Sequence, residues 1–189
     1  ATFLRGTPNA VHDAWDGWLR SLEDIGVPYD FVSYEQLEEG MLLEADYRVL
    51  ILPNSIALSS AEIAAISAFV EAGNHVIADI YPGLTNDHCR PMDQPALADL
   101  FGAARSGGVE SNVLGLRFDG LPELPTLSPA ERLTLRGGVA AGSANDNRVP
   151  IVVQQNHGKG AAGLLNFQIS FYSTARREGK APERVWRRV

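Results

Sequence analysis

Residues able to do chemistry gather at two places in this chain: Asp79 followed by the loop Asp87-His88-Cys89, and the turn-like Gly158-Lys159-Gly160. Asp79 stands at the carboxyl end of an apolar stretch, which is where open α/β sheets place their sites. The better reading of Asp79 is a carboxylate satisfied by the amides of a neighbouring loop, so no catalytic residue is expected. Asp79 with His88 is the pair a hydrolase would have to use here. Asp87, His88 and Cys89 offer three metal-binding side chains in a row, but adjacent residues rarely converge on one ion and no partner motif accompanies them. Loop polarity accounts for them. Gly158-Lys159-Gly160 lacks the earlier glycine, the Ser/Thr and the following helix of a phosphate loop, so a hairpin turn is the better reading. The sequence shows no G-x-S-x-G elbow and no H-E-x-x-H pair. No cofactor and no metal is expected.

The element that must position Asp79 is the stretch 45–83. Residues 47–52 form a branched, nearly unbroken apolar run, read as a strand buried on both faces and ending at Pro53. Ser59-Ser60-Ala61-Glu62 is a capping box, with Leu58 and Ile63 spaced as a hydrophobic staple. Ile63, Ile66 and Val70 make one helical stripe, widened by Ala65 and Phe69, and Gly73 suits a left-handed end. Residues 75–80 are a second apolar strand closed by Tyr81-Pro82-Gly83. Two such strands joined by one helix predict a right-handed βαβ crossover with both strands at the sheet centre.

Ahead of this unit, residues 2–5 read as a short first strand. Trp15, Trp18, Leu19, Leu22 and Ile25 share one helical face, with Gly26 ending the helix and Val27 as the apolar contact after it. At that spacing the tryptophans are core rather than a sugar platform. Residues 29–33 read as a second strand, and Ser33 with Gln36 caps a short helix ending at Gly40. Beyond Gly83, residues 95–101 read as a short helix that turns Leu97, Leu100 and Phe101 inward. Residues 103–150 are punctuated by Gly, Pro and Ser and read as a β-rich appendage, with strands at 113–118 and 132–135 and a turn at 143–147. Residues 151–154 and 162–167 form a hairpin about 156–160, and a helix follows from Ser170.

With 189 residues the chain supports a single domain over 1–175, and its one cysteine, Cys89, rules out an internal disulfide framework. The net charge of −7 argues against nucleic acid as a partner. Residues 176–189 carry six Lys/Arg against two Glu and read as a basic tail or linker. No run is long enough to span a membrane, and cysteine usage makes the cytoplasm the default location. A start at Ala1 without methionine suggests a piece of a longer protein.

The run YRVLILPNSIALSSAEIAAISAFVEAGNHVIADIYPG, followed by NDHCRP and LADLFG, resembles the middle, trimerisation domain of family 42 β-galactosidases. GKGAAGLLNFQISFY resembles the hairpin and following helix near the end of the same module. The resemblance is good over 26–100, moderate over 150–172 and poor between them. It implies a flavodoxin-like fold related to class I glutamine amidotransferases, and a trimer. In the amidotransferases the nucleophilic cysteine stands on a tight turn after the strand that corresponds to 75–78. Here that turn reads Asp79-Ile80-Tyr81, with no Cys or Ser, and Cys89 lies too far along the loop. The galactosidases carry their catalytic glutamates in a (β/α)₈ barrel of about 250 residues, which this chain cannot contain.

The expectation is thus a doubly wound, mostly parallel α/β domain with a β-rich C-terminal portion. Its expected role is non-catalytic: a structural, oligomerising module of a larger glycoside hydrolase, partnered by its own catalytic barrel. The alternatives are a degenerate amidotransferase-like hydrolase using Asp79 with His88, and a carbohydrate- or small-molecule-binding module using the crevice at the strand ends.

Overall fold

The computed structural model describes residues 10–80, 82–110, 117–118, 130–145 and 148–177. The strand expected at 2–5, most of the one at 113–118, the tip at 146–147 and the tail beyond 177 lie outside the described residues.

Helix α1 (Ala10–Ile25) ends as its glycine predicts. Gly26 takes φ +70, and the N–H groups of Gly26 and Val27 return to the carbonyls of Glu23 and Leu22, both at 3.1 Å. Helix α2 (Tyr34–Glu38) carries the full Ser33–Gln36 capping box, and α3 (Met41–Glu44) leads into β1 (Val49–Leu52). Strand β2 (Ala57–Leu58), helix α4 (Ser60–Glu71), β3 (His75–Asp79) and β4 (Thr85–Asn86) complete the first half. The α4 box is closed in both directions: the Glu62 N–H donates to Ser59 Oγ at 3.1 Å, and the Ser59 N–H to Glu62 Oε2 at 2.6 Å. At the other end Gly73 N–H bonds the Val70 carbonyl at 2.9 Å and Asn74 N–H the Phe69 carbonyl at 3.3 Å.

The second half holds β5 (Ala103–Glu110), β6 (Arg117–Phe118), β7 (Ala130–Leu135), β8 (Val139–Ala144), β9 (Val149–His157), β10 (Gly160–Leu165) and α5 (Phe171–Arg177). The main sheet is six-stranded, in the order β1-β3-β10-β9-β8-β6. Its part β1-β3-β10 is parallel, with Val49 opposite His75 and Ala161 opposite His75 on the other side. The remainder is antiparallel and begins with the β9–β10 hairpin at Gly158-Lys159. Strands β5 and β7 pair separately.

Both faces of the sheet are covered. Ile66, Phe69 and Val70 of α4 pack on Leu52, Val76, Ala78, Val153, Ala162 and Leu164. Trp18 of α1 joins Phe167, Ile169 and Tyr172 against Ile51, Ile77, Val152 and Leu165. These alternate residues are the two sides of one pleat. Gly160 allows the α4 face to close, because a Cβ there would lie 2.1 Å from the Val70 carbonyl oxygen.

Three expectations are corrected. Residues 29–33 form no strand, because a strand exists only in a ladder and none of the described strands lies beside them. Residues 95–101 form a chain of turns, not a helix. Their bonds mix reaches, from Ala98 N–H to Pro95 and from Phe101 N–H to Leu97, while Gln94 is clamped in both directions to the Arg105 backbone. Their apolar side chains still point inward, Leu97 and Phe101 being buried. Finally, β1 is the sheet's end among the described residues rather than its centre, and Val49 is exposed.

Candidate functional site at the strand ends

Strands β1 and β3 run in parallel, so their carboxyl ends place Asn54 and Asp79 side by side. Asn54 turns in the left-handed region, φ +45, which aims its N–H at Asp79 Oδ1. The Asp79 side chain is wholly buried, at 0% exposure. Burial pushes its carboxyl up to about 7; the Asn54 N–H, the Trp18 indole and the Ile169 backbone oppose that shift. Trp18 reaches it from α1, which sits close because Gly17 has no side chain: a Cβ there would lie 2.4 Å from the Ile169 carbonyl oxygen. The Trp18 indole N–H and Asp79 Oδ2 are buried side by side without the alignment of a full hydrogen bond, and Asn54 Oδ1 is buried with no hydrogen-bond partner among the described residues.

His88 lies elsewhere in character. It is exposed, in a turn organised by Asn86, whose Oδ1 accepts from the His88 N–H at 3.1 Å and the Arg90 N–H at 2.9 Å. No hydrogen bond joins His88 to Asp79 among the described residues. Cys89 is exposed with φ +56 in the same turn. Among the described residues no group of three His, Cys, Asp or Glu could hold a metal. No helix among them is long and apolar enough to cross a membrane.

One charged cluster beside the strand ends has no signature in the sequence. Glu131, 2% exposed, takes a two-pronged bond from Arg105, at 2.9 Å to Oε2 and 3.0 Å to Oε1. Asn166 clamps the same strand, accepting from the Glu131 N–H and donating to the carbonyls of Glu131 and Pro150. The gap between Ile80, Arg105, Glu131 and Asn166 measures only about 20 Å³, room for about one water. Asp79 is buried where β1, β3 and α1 meet, tied to the loop after β1 by the Asn54 N–H.

No family model matches the chain. Solved structures do. Gan42B, a GH42 β-galactosidase from G. stearothermophilus, superposes with a TM-score of 0.70 over 91% of this chain at 17% identity. An exo-β-1,4-mannosidase from Opitutaceae bacterium strain TAV5 covers 97% of it, with a TM-score of 0.66 and 12% identity. This chain spans only 26% of the galactosidase and 32% of the mannosidase. A cytoplasmic protein of Salmonella typhimurium LT2 is similar at a TM-score of 0.64 and 12% identity over 90% of this chain, but there the match spans 83% of the partner. At such identities the likeness is one of fold.

Proposed function

We propose that this chain is a non-catalytic structural module of a larger glycoside hydrolase, holding subunits together and shaping the rim of a neighbouring catalytic barrel. The observation that carries the reading is the match of nearly the whole chain to about a quarter of a GH42 β-galactosidase. The site agrees with it. Where a nucleophile would stand after β3, the chain has a fully buried Asp79, and among the described residues no hydrogen bond joins it to His88. The surface supports association, since Phe31, Tyr34 and Trp15 are exposed at 65%, 71% and 45%, and apolar surface of this kind marks contact sites. The flavodoxin-like classification, the trimer and the cytoplasmic location belong to the same proposal. The experiment pairs two measurements on the purified chain: turnover of aryl galactosides, aryl mannosides and glutamine, and mass by light scattering. No turnover together with self-association supports the module. Turnover that disappears in Asp79→Ala overturns it in favour of a hydrolase.

A further inference from the structure

Asp79 has neighbours of opposite demand, and one charge state cannot serve them all. Its Oδ1 accepts the Asn54 N–H, a bond open to either state. Beside Oδ2 stands the Trp18 indole, which can only donate. The side-chain oxygen of Asn54, buried on the residue that holds Oδ1, can only accept and has no partner among the described residues. An ionised carboxylate satisfies the indole and strands the Asn54 oxygen; a carboxylic acid does the reverse. The choice bears on how a helix is held. Trp18 belongs to α1, which with β1 and segment 27–32 walls a mainly apolar groove of about 1320 Å³. Gly17 seats that helix against the backbone of Ile169, and Ile169 also acts on Asp79.

We propose that Asp79 is a proton switch for the docking of α1 on the sheet. Protonated, its Oδ2 hydroxyl donates to Asn54 Oδ1 and leaves the Trp18 indole without a full bond. Ionised, it gives that proton to water, and Oδ2 accepts the Trp18 N–H in a charge-assisted bond that ties α1 to β3. Burial pushes the carboxyl up to about 7, so both forms are populated near neutral pH. The charged groups on the surrounding elements are engaged elsewhere or face solvent. On α1, His12 and Asp13 are exposed, Asp16 pairs with Arg20 at 3.3 Å, and Asp24 turns to α5, accepting from Tyr172 at 2.7 Å and Arg176 at 3.1 Å. Arg177 of α5 is exposed, as is His88 in the loop after β3. Ahead of β1, Arg48 pairs with Asp46 at 2.7 Å; beyond β10, Glu131 pairs with Arg105 at 2.9 Å; Glu62 of α4 caps its own helix. The main influences on Asp79 are its burial and the uncharged groups of Asn54, Trp18 and Ile169. The inference is independent of the functional proposal.

An NMR titration of the Asp79 carboxyl carbon on the full chain, with the Trp18 indole N–H followed in the same samples, tests it. The two signals should move together with one midpoint near neutrality. Asn54→Gly keeps the left-handed turn and the backbone N–H but removes the acceptor of the proton. Its midpoint should fall by about one unit, a tenfold loss of proton affinity. Trp18→Phe removes the donor to the ionised form, so its midpoint should rise. Water entering at a lost side chain would lower the midpoint in both variants, so opposite signs identify the switch. If Trp18→Phe does not fold, the wild-type titration and Asn54→Gly decide. A wild-type midpoint in the ordinary carboxylate range overturns the proposal. So does an indole signal that does not follow Asp79, or a midpoint unchanged in Asn54→Gly.

Discussion

The two faces of the main sheet are closed in different ways. On the α4 face Ile66, Phe69 and Val70 are completely buried, both helix ends are capped, and Gly160 lets the helix sit directly on β10. On the α1 face Trp18 is buried, but its neighbours on the same helical stripe, Trp15 and Ile25, are exposed along the groove. Buried polar atoms without a full hydrogen bond among the described residues also fall there, around Asp79. The α4 face is a finished core and supplies rigidity. The α1 face is the less finished of the two, and the proposed association is placed on that side.

The largest effect that would break this contrast is a cavity in the finished face. Phe69→Ala should destabilise the protein by about 3–5 kcal/mol, the usual range for a buried phenylalanine. A urea melt checks it, and a loss below about 1 kcal/mol would mean the α4 face is not closed.

The next test acts through pH at the unfinished face. Because the Asp79 pKa is raised from 3.8 to about 7, the folded state holds its proton more tightly than the unfolded chain. Its contribution is complete below pH 3.8 and is lost as pH rises through 7. Asp79→Asn keeps an acceptor for the Asn54 N–H and removes the titration. Relative to the wild type it should gain stability progressively across that window, by up to about 4 kcal/mol at alkaline pH. Melts of both proteins between pH 4 and 8 read the difference directly. A difference that does not change with pH would show that Asp79 is solvated.

The same division governs what the sequence makes legible. The β1–α4–β3 crossover is readable because each of its determinants is local: the Ser59–Glu62 box, the Ile63–Ile66–Val70 stripe, the left-handed Gly73. The β9–β10 hairpin is readable from its glycines for the same reason. Residues 29–33 have strand composition, but pairing is a property of neighbours and cannot be read from the segment itself. Trp15 and Trp18 share a helical face, yet only one of them is buried, since burial depends on what lies across the groove. The Arg105–Glu131–Asn166 cluster joins residues brought together by strand pairing between distant segments, and no spacing announces it. Asp79 was legible as a position and as a carboxylate held by a loop amide; His88 was legible only as a loop residue.

A smaller effect probes the capped end of the finished face. Ser59→Ala removes the acceptor of the Glu62 N–H and a bond to Glu38 Oε1, and should cost about 1 kcal/mol. Because the α4 core is already closed, the melt should stay cooperative and shift only in midpoint. A lowered slope against urea would mean that the cap holds more than the first turn.

The smallest expected effect on stability carries the most information about the open face. Trp15 is half exposed and stacks on Phe31, with ring centroids 6.0 Å apart and planes at 26°. Removing it in Trp15→Ala loses one exposed aromatic pair, about 1 kcal/mol of folding stability. If the exposed aromatic rim is a contact surface, the same change should weaken self-association at least tenfold, because buried tryptophans dominate interfaces out of proportion to their area. The comparison is with Leu135→Ala, another exposed apolar side chain, on β7 away from the groove, which should leave association unchanged. Sedimentation velocity across a concentration series separates the two variants. Equal association in both would confine the role of the α1 face to folding and leave the subunit contact to another surface.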